Sequence, residues 1–261
     1  MNEFYFGCGD GSTKKALEYI GPINVMINYA SKVNTPPQTT RKLFIDSGGF
    51  SFFFKMKDYA TPHKHYLKFV EKRKADFFAN RDYPCEPELL RKNKTTVKNN
   101  QERTIENHIE IMDIIDNEFS NLKHKFVAVI QGWKVDEYLL MLDRMKEQGL
   151  LTKRIAIGSI CRRGQSQEIR KIVTEIRKNL TKKYELHAFG VKFNMLCYKD
   201  VWDALTSADS MAFRFMIVSN GNPIWLQIKE KIELWIKRLE QLKRKHKTQK
   251  TITDVMKDDP E

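Results

Sequence analysis

Eight short runs of β-branched and aromatic residues, each followed by a polar or helical stretch, constrain this chain more than any other feature. They fall at residues 4–7, 24–30, 43–47, 75–80, 126–131, 154–159, 185–191 and 207–211, the last being the weakest. Several are continuously apolar rather than alternating, which is how strands buried on both faces of a parallel sheet read. Between them, residues repeat at helical spacing. Segment 12–20 opens with Ser12 as a cap, and 101–119 places Ile105, Ile109, Met112, Ile114 and Ile115 on one side. Segment 135–148 carries Tyr138, Leu139, Leu142 and Met145 and stops at Gly149, while 167–180 repeats the pattern with Ile169, Ile172, Val173 and Ile176. Strand then helix, about eight times over, predicts an α/β fold of the (β/α)8 TIM-barrel type, with a doubly wound open sheet as the alternative.

Two stretches interrupt the alternation. Residues 81–100 contain Pro84 and Pro87 among many Lys and Asn residues, which predicts a long, mobile, basic loop after the fourth strand. Segment 225–247 sets Leu226, Ile228, Ile232, Trp235, Leu239 and Leu242 on an apolar side, while 226–250 holds nine Lys or Arg against three Glu, a local charge of +6. The expected organisation is a barrel over residues 1–224 and a basic C-terminal helix and tail, 225–261, packed on it. That helix is either a solvated closing element or a nucleic-acid contact through Lys243, Arg244, Lys245 and Lys247.

The whole chain carries 46 Lys and Arg against 33 Asp and Glu, a formal +13 that favours a polyanionic partner. With 41% hydrophobic residues it can bury a core, which excludes a disordered chain. No apolar run reaches the roughly 18 to 20 residues of a membrane span, and Met1-Asn2-Glu3-Phe4 lacks the order of a signal peptide. A soluble, cytoplasmic protein with no membrane partner is expected. Cys8, Cys85, Cys161 and Cys197 stand apart and read as reduced thiols in or near the core, not as a disulfide framework or paired-Cys zinc site.

Barrel enzymes carry their chemistry at the C-terminal ends of the strands. The third run ends Asp46-Ser47-Gly48-Gly49-Phe50, an acid followed by two glycines that let a ligand approach the backbone. The fifth ends Ile130-Gln131-Gly132-Trp133, where Gln131 offers a donor and an acceptor to a heterocycle edge. The sixth ends Gly158-Ser159-Ile160 before Cys161-Arg162-Arg163-Gly164, whose paired arginines suit phosphates or solvent equally. The seventh ends Phe189-Gly190, and the eighth brings Asp209 in Ser207-Ala208-Asp209-Ser210-Met211. Two carboxylates on separate strands of one barrel face are the minimum for double displacement at a sugar carbon, one attacking C1′ and the other managing protons. Other patterns are weaker. His63-Lys64-His65 has no matching cluster that would complete a metal site, and Gly7-Cys8-Gly9-Asp10-Gly11-Ser12 reads as a tight turn capped by Ser12. Phe52-Phe53-Phe54 reads as loop packing ahead of a base-stacking platform.

In this order and spacing, the strand ends resemble the tRNA-guanine transglycosylases and their DNA-acting relatives, the 7-deazaguanine DNA transglycosylases of bacteria and phages. Asp46-Ser47-Gly48-Gly49-Phe50 is similar to that superfamily's Asp-Ser-Gly-Gly-aromatic signature, Ile130-Gln131-Gly132 to its Val-Gln-Gly, and Ala156-Ile157-Gly158-Ser159-Ile160 to its Ile-Gly-Gly-Leu. Glu102-Arg103-Thr104 and Phe189-Gly190-Val191 resemble its Glu-Arg-Ser and Met-Gly-Val. The resemblance implies that Asp46 is a general acid/base, that Phe50 and Phe189 sandwich a purine, and that Asp82 reads the base. It also implies that Gln131, with Gly132, meets the purine's carbonyl edge and that Ser159 and Ile160 bind it through backbone atoms. Ser47, Gly48, Gly49 and Gly190 complete the implied binding surface.

Asp209 is the implied nucleophile. The tRNA enzymes read Gly-Ile-Asp-Met-Phe-Asp here and attack with the second Asp. Asp209 matches the first and Ala212 stands at the second, whereas the DNA-acting branch reads more like Ser-x-Asp-Ser. The Cys-x-Cys-x-x-Cys plus His zinc site of the tRNA enzymes has no counterpart after Cys197, so no zinc and no other cofactor are expected. Gly164 stands where the bacterial tRNA enzymes carry the glutamate for an aminomethyl substituent, which implies an uncharged deazapurine.

The resulting expectation is a pentosyltransferase that replaces guanine in DNA with a free 7-deazaguanine base such as preQ0, with Arg162, Arg163, Lys243, Arg244, Lys245 and Lys247 contacting the nucleic acid. Two alternatives stand beside it: the same chemistry on tRNA, and a catalytically silent nucleic-acid-binding subunit, suggested by Ala212.

Overall fold

The computed structural model describes residues 1–255 apart from Asn34, Met216 and residues 218–220, and of residues 249–255 the backbone alone. The first half of the chain forms β1 (Glu3–Cys8), α1 (Gly11–Ile20), β2 (Ile23–Asn28), β3 (Thr40–Asp46), α2 (Gly49–Met56), α3 (His63–Lys72), β4 (Phe77–Ala79), α4 (Pro87–Asn93), α5 (Val97–Glu118) and β5 (Phe126–Ile130). The second half forms α6 (Val135–Glu147), β6 (Arg154–Ile157), α7 (Ser166–Lys178), β7 (Glu185–Ala188), α8 (Phe193–Leu196), α9 (Lys199–Ala204), β8 (Ser207–Ser210) and α10 (Ile224–Val255). Among the described residues, eight strands pair in parallel in sequence order and β8 returns to β1, so the sheet closes into a (β/α)8 barrel rather than an open sheet.

Closure buries both faces of every strand, which explains the continuous apolar runs. Val127 and Val129 point into the barrel with Tyr5, Met26, Phe44, Ala79 and Ala156. Their neighbours Ala128 and Ile130 point outward and pack with Tyr138, Met141 and Leu142 of α6. The strands' N-terminal end is held by Arg154, whose guanidinium donates to Glu185 Oε2 at 2.7 and 2.9 Å and to Glu3 Oε2 at 3.0 Å.

The structure corrects several expectations. Residues 81–100 are not a mobile loop: residues 81–86 are buried, α4 follows, and α5 begins at Val97 rather than residue 101. The reason is polar anchoring. Asn100 Nδ2 donates to Pro84 O at 2.6 Å, Tyr83 N to Thr104 Oγ1 at 2.9 Å and Asn107 Nδ2 to Arg81 O at 2.7 Å, while Asn80 Nδ2 donates to Thr104 O at 2.9 Å. These bonds satisfy backbone that would otherwise seek water. Helix α1 is capped by Asp10, which accepts from Thr13 N at 3.0 Å, rather than by Ser12. Ile109 is exposed, and Ile111 takes its place in the core. Cys8 and Cys85 are buried as expected, but Cys161 and Cys197 are exposed. The C-terminal helix is longer than 225–247, and residues 256–261 of the expected tail lie outside the described residues. None of the described helices is long and apolar enough to cross a membrane.

The packing around β4 generates a stability prediction. Phe78 is fully buried, with its ring centroid 5.3 Å from that of Phe126 and 6.1 Å from that of Tyr66. Phe78→Ala should lower the unfolding free energy by about 3–5 kcal/mol, read from urea titration at constant m-value. A loss below about 1 kcal/mol would mean that the barrel wall repacks around the vacancy.

Candidate active site

Side chains alternate along a strand, so the inward-facing line of each core strand continues into whatever lies above the barrel. Phe44 leads to Asp46, Val129 to Gln131, Ala156 to Gly158, His187 to Phe189 and Ser207 to Asp209. These residues meet in one cavity of about 260 Å³ at the strands' C-terminal ends, with Phe50, Asp82, Glu86, Ser159 and Gly190 also in its wall. The third, fourth, fifth, sixth, seventh and eighth strands each contribute a residue at or just beyond their ends.

Asp46 accepts from Asn28 Nδ2 at 2.6 Å. Burial, then the nearby Asp82 carboxyl, push the Asp46 carboxyl up to about 7. Asp82 accepts from Ser47 Oγ at 3.0 Å and from Gln131 Nε2. Burial pushes it up to about 6 against those bonds. The adjacent Arg81 does not neutralise it. Its guanidinium bonds Thr61 and lies over the rings of Tyr59, Tyr66 and Tyr29, at 4.7, 5.2 and 5.6 Å.

Asp209 differs. Its Oδ1 accepts from Gly190 N at 3.0 Å and lies 3.3 Å from His187 Nε2, while Ser207 Oγ sits 2.8 Å from His187 Nδ1. Burial lowers the His187 imidazole, so the neutral ring donates from Nε2 to Asp209 and accepts Ser207's proton at Nδ1. Both bonds fall on Oδ1, and Oδ2 takes none from the described residues.

Two of the glycines make room for neighbouring protein groups rather than for a ligand's approach. A Cβ on Gly49 would sit 2.4 Å from Asp82 O, and one on Gly158 would sit 2.2 Å from Gln131 Nε2. Gly48, at φ 81°, supplies the left-handed turn that starts α2.

Of the expected binding residues, Asp82, Gln131, Ser159, Phe189, Gly190, Gly49 and Phe50 line the cavity. Ser47 lies beneath, bonded to Asp82, and Gly132 packs on the ring of Tyr138. Ile160 is buried outside the cavity wall in the core between β6 and its helices. Arg163 is corrected: it is buried, donates to Ser159 O at 3.2 Å and to Trp133 O, and lies 3.8 Å over the Trp133 ring. It holds the loop after β6 and is not open to phosphates. Arg162 is exposed, 4.8 Å over the Phe50 ring, and paired with Glu88 at 3.1 Å.

The basic end of α10 is not beside the site. Lys243 lines a separate cavity of about 330 Å³ with Met1, Glu3, Ile23 and Asn24, which begin β1 and β2 at the other end of the barrel. Arg244, Lys245 and Lys247 are exposed on the same helix.

Sequence reasoning missed Glu86, Asn28, Tyr59 and the role of His187. Asn28 and His187 were open to the alternation argument, being inward-facing on β2 and β7. Glu86 and Tyr59 carry no periodic signal. Among the described residues, no group of three or more His, Cys, Asp or Glu is placed to hold a metal ion.

A model of the protein family DpdA, described as DeoxyPurine in DNA protein A, matches residues 2–237. The match takes in the whole barrel and ends within α10, before Lys243. No curated protein matches the chain.

The buried acids make stability depend on pH. Asp46 ionises near 3.8 when unfolded and near 7 in the fold, so between these values the native state holds the extra proton and stability falls as pH rises. Asp46→Asn, which carries no charge, should melt increasingly above wild type from pH 5 to pH 8. A constant difference in melting temperature across that range would show that Asp46 ionises freely.

Proposed function

The chain belongs to the DpdA family, DeoxyPurine in DNA protein A, and from that premise we propose that it exchanges guanine in DNA for a 7-deazaguanine base through a covalent bond between C1′ and Asp209. Membership itself carries the coarser statement, a DNA-modifying transglycosylase with DNA as its substrate, and it decides between DNA and tRNA. The observation that most supports the finer reading is the meeting of Asp46, Asp82, Gln131 and Asp209, from different strand ends, in one cavity with Phe50 and Phe189 in its wall.

The residues divide the work by environment. Asp209 is oriented through Oδ1 by a backbone amide and a neutral imidazole, leaving Oδ2 to attack C1′. As the Asp209–C1′ bond forms, the C1′–N9 bond breaks and its electron pair leaves with guanine, which takes a proton from Asp46. A carboxyl titrating near 7 is suited to give that proton and to take one back. The incoming deazaguanine then loses its ring N–H proton to Asp46 and attacks C1′, breaking the ester bond. Two inversions restore the configuration. Asp82 accepts from the base's N–H groups and Gln131 donates to its carbonyl, while Phe50 and Phe189 take its faces. The position matched to the attacking residue of the tRNA enzymes holds Ala212, which is outside the cavity, whereas Asp209 lines it; that supports Asp209 as the attacking acid over a silent subunit.

The base must leave the duplex stack to enter, at a cost of a few kcal/mol. The cavity rim offers rings and cations for the strand. The exposed Phe54 stacks on Phe50 at 6.1 Å and 8°, Lys92 Nζ lies 3.6 Å over the Phe54 ring, and Arg162 covers Phe50. We assign DNA approach to this rim.

Two experiments test these assignments. Denaturing gels of enzyme with labelled guanine-containing DNA should show an adduct for wild type, none for Asp209→Asn, and at most a trace for Asp46→Asn. An adduct at the wild-type level in Asp209→Asn would send the nucleophile to Asp82. In salt titrations of DNA binding, replacing Lys92 and Arg162 with Gln should reduce the slope of log K against log salt by up to about one for each phosphate that is no longer neutralised. Replacing Lys243, Arg244, Lys245 and Lys247 should reduce it less; the opposite ranking would move the DNA to the other end of the barrel.

A further inference from the structure

Glu86 is 3% exposed, lines the base cavity, and belongs to none of the motifs. Its Oε2 lies 2.8 Å from Ser159 Oγ. That hydroxyl has two more neighbours: it accepts from Cys85 N at 2.8 Å and lies 2.6 Å from Gln131 Oε1. Gln131 Oε1 can only accept, because Nε2 of the same amide is committed to Asp82 Oδ2. A hydroxyl has a single proton to give. If Glu86 were ionised, it and Gln131 would both need that proton, and one short oxygen–oxygen approach would be left without hydrogen in a buried site. A proton on Glu86 removes the conflict. Glu86 then donates to Ser159, Ser159 to Gln131, and Gln131 to Asp82.

We propose that Glu86 is a positioning residue for the base: in its protonated form it fixes, through Ser159, the face that the Gln131 amide turns to the purine. The inference rests on the base-exchange reading above. With the relay in place, Gln131 has its second N–H free for the base carbonyl. When Glu86 loses its proton, the Ser159 hydroxyl turns to the carboxylate, because the bond to a charged acceptor is the stronger one. Gln131 Oε1 then faces a lone pair, and the amide leaves the arrangement that offers its N–H to the base.

Burial and the neighbouring acid favour the protonated form of Glu86. Asp82 and Cys85 share its segment, Tyr138 faces it from α6, and Cys161 and Arg162 face it from the loop after β6. Glu137 of α6 lies near Cys85 but accepts from Trp133 N and Lys134 N. Arg163 is turned to the Ser159 and Trp133 carbonyls. Burial, helped by Asp82, outweighs the hydrogen bonds from Ser159 and the Glu86 backbone and the attraction of Arg162, which is paired with Glu88, and holds the Glu86 carboxyl above the ordinary range.

The test is calorimetric binding of free guanine and of free preQ0 to the full chain from pH 5 to pH 9, for wild type, Glu86→Gln and Ser159→Gly. Requiring one proton for binding weakens wild-type affinity by roughly tenfold per pH unit on the alkaline side. The E86Q amide donates to Ser159 at every pH, so its slope of log Kd against pH should be lower by about one. S159G removes the relay and should lower the slope equally, glycine being suited to the φ of 52° at this position. An E86Q slope equal to that of wild type overturns the proposal, and if E86Q does not fold, an unchanged slope in S159G does so. Wild type binding neither base at any pH would overturn the base-exchange reading itself, and this inference with it.

Discussion

Carboxyl groups buried together at the mouth of a closed parallel barrel set the terms for the rest of this structure. Asp46, Asp82, Glu86 and Asp209 share one cavity, and an ionised carboxylate taken out of water needs hydrogen bonds or a proton to remain there. The fold supplies both. Asn28, Ser47, Gln131 and the Gly190 amide donate to the acids, and burial raises Asp46, Asp82 and Glu86 toward the neutral form. The cations in reach are turned elsewhere, Arg81 into a cage of tyrosines and Arg163 onto carbonyls. An arginine beside Asp46 would pin its carboxylate in the charged form and remove its capacity to hold and release a proton near neutral pH.

The site depends equally on the segment between β4 and α4. It carries Asp82 and Glu86, yet it has no regular structure of its own. Asn100, Thr104 and Asn107 on one face of α5 bind its backbone at Pro84, Tyr83 and Arg81. Tyr59 adds a bond to Asp82 O at 2.9 Å. The Glu102-Arg103-Thr104 pattern therefore has a structural meaning: Thr104 holds the loop that carries Asp82.

Charge is divided between the two ends of the barrel. At the cavity rim, Lys92 and Arg162 lie over the rings of Phe54 and Phe50, a surface suited to stacking and to phosphates together. Helix α10 packs along the outside of the barrel, burying Ile228, Ile232 and Trp235 against β1 and α1, and its later turns reach the opposite end, where Lys243 lies beside Met1 and Glu3 and the following lysines are exposed. Net charge thus speaks for a polyanionic partner without saying which surface meets it.

The sequence by itself determined the barrel, because strands buried on both faces must be continuously apolar and helices must carry a stripe, and both patterns are local. It also determined that Asp46, Gln131, Phe189 and Asp209 face one cavity, since a side-chain period of two carries each inward line past its strand end. Only the tertiary structure decided that residues 81–86 are ordered, that Glu86 joins the site, that Arg163 is buried, and that the basic helix lies at the other end. The first three rest on single hydrogen bonds from polar side chains to partners distant in sequence, which leave no periodic trace. A lysine-rich stretch reads the same whether it is solvated or anchored, and only the partner across space settles which.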